Sequence, residues 1–190
     1  MKLMKLILAL AFVTGCTSVQ QSTRISTPLQ AMEFNNIASQ YMSRPTSITV
    51  EKMSDGESVL NITMNTYGAN QYGTNESSVR LSKNHIAEYN TLINKYLKWT
   101  TIAKQNSDQI TKDIGRATTW GNMSSGELKF SFHSGNQYKH FLNISFCAAG
   151  TCLDDQSLYF DEAGAKELLI LLDRYQSGKI NANDVTSKYN

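Results

Sequence analysis

Hydrophobic and polar residues alternate with a period of two in several stretches of this chain, and that period predicts strands. Ser47–Met53, "SITVEKM", is followed by Ser54-Asp55-Gly56, a hairpin turn signal. In "VLNITMN", Val59–Asn65, residues Leu60, Ile62 and Met64 share one face, and Asn61, Thr63 and Asn65 share the other. A loop rich in Gly, Tyr and Asn spans Thr66–Ser77, and Val79-Arg80-Leu81 reads as a short strand. The period then changes. Ile86, Tyr89, Ile93, Tyr96 and Leu97 recur at helical spacing, and Ser82 is the expected cap. Thr17–Pro28 is polar and aperiodic, which predicts a tether. Leu29–Met42 is expected to hold a short helix ended by Pro45.

The same order returns downstream. Glu127–His133 and Phe141–Cys147 alternate, with Leu128, Phe130, Phe132 and Leu142, Ile144, Phe146 inward. Leu158-Tyr159-Phe160 reads as a strand, Asp161 as a cap, and Ala165–Tyr175 as a helix. "LNITM" at Leu60 lies over "LNISF" at Leu142, and "LINKY" at Leu92 over "LLDRY" at Leu171. These matches predict an α+β fold: an antiparallel sheet with two packed helices, built from a duplicated β-β-β-α unit. One unit alone would leave an apolar sheet face uncovered, and two can share a core. The expected domain is 47–190, with halves 47–104 and 126–190 and a linker over 105–125.

The amino terminus has its own pattern. Lys2 and Lys5 precede "LILALAFV", Leu6–Val13, an apolar run too short to span a bilayer. It ends in Val13-Thr14-Gly15-Cys16, which resembles the lipobox of bacterial lipoproteins. The resemblance covers the leader only. It implies removal of residues 1–15, lipidation of Cys16 with fatty acyl chains such as palmitate, and 16–46 as lipidated cysteine and tether. Thr17 stands where an aspartate would favour inner-membrane retention in that class, so the resemblance points to the outer membrane, with the body facing the periplasm. More than one acyl chain makes such an anchor stable.

Charge then narrows the partners. The chain has 18 Lys and Arg against 16 Asp and Glu, and loss of Lys2 and Lys5 would balance them. A neutral body has no basic excess to attract nucleic acid. Cys147 and Cys152 bracket four residues in "CAAGTC". In an oxidising compartment this spacing suits a disulfide at a hairpin end, rather than a redox or metal pair.

Candidate chemistry is sparse. His133 and His140 flank one hairpin turn and could approach each other, but a metal site needs a further ligand, and neither metal nor cofactor is expected. Asp154-Asp155 and Asp161-Glu162 are acid pairs that loop and helix-cap roles explain. Two surfaces could bind a partner. One is the outward sheet face, with Asn61, Thr63, Lys129 and Ser145 among its amides, hydroxyls and cations. The other is the long loop with Tyr67, Asn70 and Tyr72. Together these predict a non-enzymatic binding or accessory lipoprotein. Its partner would be an envelope protein or glycan, or an incoming agent that it excludes. The alternatives are an envelope hydrolase using His133 or His140, and a structural or assembly factor.

Overall fold

The computed structural model describes residues 17–69, 73–121 and 126–181. Among these residues, eleven strands and two α-helices form an α+β fold. The first six strands are β1 (Val19–Arg24), β2 (Met32–Asn35), β3 (Gln40–Ser43), β4 (Thr46–Met53), β5 (Ser58–Asn65) and β6 (Glu76–Ser82). Helix α1 (Ile86–Asn106) follows, then β7 (Thr111–Thr119), β8 (Gly126–Ser134), β9 (His140–Ala148), β10 (Thr151–Cys152) and β11 (Leu158–Phe160), and finally α2 (Glu162–Gln176). The strands divide between two antiparallel sheets, ordered β1-β4-β5-β6 and β3-β2-β11-β9-β8-β7, with β10 paired to β9.

The duplication is written in the registers. Leu60 pairs with Leu81 and Ile62 with Val79 between β5 and β6. Leu142 pairs with Phe160 and Ile144 with Leu158 between β9 and β11. Val50 opposite Leu60 becomes Phe132 opposite Leu142. The structure also extends the repeat by one strand. Thr23 of β1 faces Val50, and Lys112 of β7 faces Phe132, so β1 and β7 hold equivalent places. The unit is therefore β-β-β-β-α, not β-β-β-α.

Both added strands lie in segments whose patterns conceal them. The tether expected over 17–28, and the wider 16–46, contains β1, β2 and β3, and the linker expected over 105–125 contains β7. All but one residue of β1 are exposed, so no hydrophobic alternation marks it. It is held by backbone pairing to β4, and Ser18 and Ser54 already bond each other. The short helix expected within Leu29–Met42 is instead the β2–β3 hairpin. Asn35 Oδ1 accepts from Ile37 and Ala38 N–H, and Ser39 turns through φ +52°. That side chain–backbone turn outcompetes the helix.

Each helix buries one stripe. Ile86, Tyr89, Ile93, Tyr96, Thr100 and Ala103 face inward from α1, and Ala165, Leu168, Leu171, Leu172 and Tyr175 from α2. Asp161 caps α2 by accepting from Gly164 N–H at 2.8 Å. Ser82 does not cap α1, which is preceded by a short 3-10 turn, Lys83–His85. Its amide N–H donates to Tyr89 Oη instead. Both helices and both sheets share one apolar core.

Three core phenols join elements distant in sequence. Tyr96 donates to His140 O at 2.8 Å, and Tyr175 Oη lies 2.7 Å from Ser58 Oγ. Ser58 and His140 are equivalent positions, so each helix reaches the other half at the same point. Tyr89 donates to Thr118 O at 2.6 Å while accepting from Ser82, which stitches β7 to β6. Burial raises the pKa of Tyr89 and Tyr175 to about 12, and raises that of Tyr96 further. With folded values above unfolded ones, the stability these phenols bring is intact below pH 10 and lost as pH climbs toward 12. In an alkaline absorbance titration, Tyr89, Tyr96 and Tyr175 should ionise only together with unfolding. Smooth ionisation of all tyrosines near pH 10 in a folded chain would contradict this packing.

Candidate functional site

The surface expected on one outward face is split between the two sheets. Asn61 and Thr63 lie on β5, and Lys129 and Ser145 on β8 and β9. Asn61 Nδ2 donates to Glu51 Oε1 at 2.9 Å, so its amide serves a carboxylate that is itself buried. Arg80 completes that cluster, with Nε 3.2 Å from Glu51 Oε2 and its guanidinium 5.3 Å from the Trp120 ring. Thr63 is half-buried. Lys129 Nζ sits 2.6 Å from Asp154 Oδ1, which holds the Asp154 carboxyl below its usual range. Ser145 is fully buried, with Oγ 3.2 Å from Asn143 Oδ1 and 2.9 Å from Ser157 Oγ. The loop after β10 and the β2–β3 hairpin cover the face on which Ser145 was expected to be open, because an amide- and hydroxyl-bearing face can bond to protein as readily as to water.

Tyr67 is exposed, yet it is tied down. Its N–H donates to Glu33 at 2.8 Å, and Arg44 lies 3.7 Å over its ring. Asn70, Tyr72 and Cys16 lie outside the described residues. Cys147 and Cys152 form the expected disulfide across the β9–β10 pair. The turn inside it has two residues, Ala149 at φ +48° and Gly150 at φ +82°, as a primed hairpin turn requires.

The two histidines are separated by the sheet. His133 stands opposite Phe141 in the register, and His140 opposite Ser134, so they emerge on opposite faces. His133 meets the rings of Tyr41, Phe141 and Tyr159, and burial lowers its pKa. His140 stacks on Phe132, with Nδ1 2.9 Å from Ser134 Oγ. Burial, and then Lys104, lower the pKa of His140. Among the described residues no three His, Cys, Asp or Glu side chains gather as a metal site, and no helix is long and apolar enough to cross a membrane.

What the structure does assemble is a cleft of about 450 Å³ at the start of α2. Four segments meet there: the β2–β3 hairpin, the β8–β9 turn, the last turn of α1 and the first turn of α2. Met32, Tyr41 and Phe141 line it with apolar surface. Glu162 bridges Lys104 and Lys166, each at 2.7 Å, and these two lysines pull its carboxyl down to about 2. Lys139 lies at the same cleft without a carboxylate partner among the described residues. Asn136 Oδ1 accepts from the N–H groups of Tyr138 and Lys139, both at 2.9 Å, which fixes the turn that presents them. Tyr138 is 71% exposed, an unusual position for a large ring on a fixed turn. Gly135 belongs to this turn because a Cβ there would come within 3.0 Å of the Phe141 ring. A second hollow of about 320 Å³ adjoins the cleft past Met32, Asp161 and Ala163.

Comparison with known proteins gave no match: no family model fits the chain, and no curated protein or solved structure proved similar to it.

Two measurements test the electrostatics. Arg80→Ala would leave the buried Glu51 without its cation and should cost about 1–3 kcal/mol in urea unfolding; an unchanged midpoint would mean the carboxylate is not held as described. Carbon-13 carboxyl NMR should find Glu162 titrating near 2. Lys104→Met should move that midpoint up toward the ordinary carboxylate range. Because the folded value is depressed, the contribution of Glu162 stands above the ordinary range and is lost as pH falls toward 2.

Proposed function

We propose that this chain is a lipid-anchored protein of the bacterial envelope that binds a ligand or partner without chemical turnover, through the cleft at the start of α2. The cleft carries the binding half of the reading. It combines an apolar floor, an exposed ring on a pinned turn and a cation with no carboxylate partner among the described residues in one concave site, which is the usual make-up of a recognition site. Its ionisable groups are committed elsewhere: Asp161 caps a helix, Glu162 is shared by two lysines, and His140 bonds Ser134. Each of these bonds has a role in holding the fold that needs no reacting substrate, which favours binding over turnover.

The anchor half rests on the leader and Val13-Thr14-Gly15-Cys16. The Cys147–Cys152 disulfide supports it, because such bonds persist in exported proteins. With Ser18 already bonded to Ser54, a lipid on Cys16 would hold the body close to the bilayer. Growth of producing bacteria with an alkyne-tagged fatty acid should label the chain and place it in the outer-membrane fraction, and Cys16→Ala should abolish both. An unlabelled wild-type chain recovered away from membranes would refute the anchor.

A further inference from the structure

We infer that the cleft at the start of α2 binds a saccharide carrying an anionic substituent, a carboxylate or a phosphate. The inference deepens the binding role proposed above and rests on it, but not on the lipid anchor.

The sugar ring is indicated by Tyr138. Its side chain is 71% exposed, while its backbone is pinned by Asn136. An open aromatic face on a pinned turn has few torsions to order and matches the flat apolar side of a pyranose. Met32 and Phe141 continue that apolar surface into the cleft. Glu162 and Asp161 border it with carboxylate oxygens, natural acceptors for sugar hydroxyls.

The anion is indicated by the charge count at the rim. Three lysines line the cleft, Lys104, Lys139 and Lys166, against two acids. Glu162 occupies two of the lysines, and the Asp161 carboxylate is engaged by Gly164 N–H. Lys139 is left over, next in sequence to Tyr138 and held by the same Asn136 side chain. Ring and cation thus belong to adjacent residues of one pinned turn at the cleft, a placement that suits a sugar bearing its charge on a short substituent. A neutral glycan would leave Lys139 unused, and a purely ionic ligand would leave Tyr138 unused.

Nitrogen-15 NMR titration of the purified full chain tests this with three disaccharides. One is N-acetylglucosamine linked to N-acetylmuramic acid, which carries a carboxylate. The second is a glucosamine disaccharide phosphate, and the third is neutral diacetylchitobiose. At least one anionic disaccharide should bind about ten-fold tighter than chitobiose, with shift changes centred on Tyr138 and Lys139. Whichever anionic probe binds tighter tells a wall-derived carboxylate from a lipid-derived phosphate. Lys139→Ala should erase the preference for charge, and Tyr138→Ala should weaken all three probes. Both are exposed turn positions, and Lys52→Ala on the other sheet serves as a control that should change nothing. Equal affinity for chitobiose, shifts centred away from the cleft, or no binding by any probe would overturn the proposal. Equal or tighter binding of a short acidic peptide at the cleft would overturn the saccharide class. Fatty-acid labelling without saccharide binding would leave the anchor standing and remove the ligand. Binding without labelling would do the reverse.

Discussion

A buried phenol must find an acceptor, and in this fold the acceptors lie in the other half of the chain. Tyr96 of α1 finds His140 O, and Tyr175 of α2 finds Ser58 Oγ. Each bond needs a helix of one half docked on a strand of the other. The two units are therefore not two domains laid side by side. Each completes the polar satisfaction of the other, and the apolar stripes of α1 and α2 are buried in the same cluster. The cost of an unmet hydroxyl in that core, about 1–3 kcal/mol, makes the crossed pair a register check on the whole assembly.

The cleft arises where the two halves stop being alike. The β2–β3 hairpin adds to β11 and has no counterpart on the first sheet. It brings Tyr41 against Phe141 and Tyr159, with ring centroids 4.2 and 4.9 Å away. The face that symmetry would have left hydrated becomes an aromatic layer, and the edge of that layer meets the start of α2. Burial, then Tyr159, pushes the Tyr41 phenol well above its usual range.

Much of the fold was legible from periodicity alone, because β4, β5 and β8 bury chiefly one face and alternate accordingly, and β9 alternates apolar with polar although both its faces are buried. The disulfide and the Asp161 cap were legible for the same kind of local reason. The strands that escaped notice are those whose side chains carry no instruction. In β1 nearly every residue is exposed, and β7 is irregular where Gly115 follows the Asp113 bulge, so pairing rather than burial defines them. The cleft was illegible for another reason. Tyr41, Lys104, Tyr138 and Glu162 come from four separated segments, and no local pattern links them. Ser145 shows the reverse error, since its alternation was read correctly but what covers that face comes from the loop containing Ser157.

The bond between Ser18 and Ser54 fixes more than the end of a strand. Only Thr17 separates Ser18 from Cys16, a reach of about 7 Å. A body attached to a bilayer through so short a leash would sweep a shallow volume just above the headgroups. Its effective concentration toward anything in that layer would be high, and toward anything across the envelope nearly nil. Long flexible tethers let an anchored protein search; a lipidated chain that spends those residues on β1 would trade search for station.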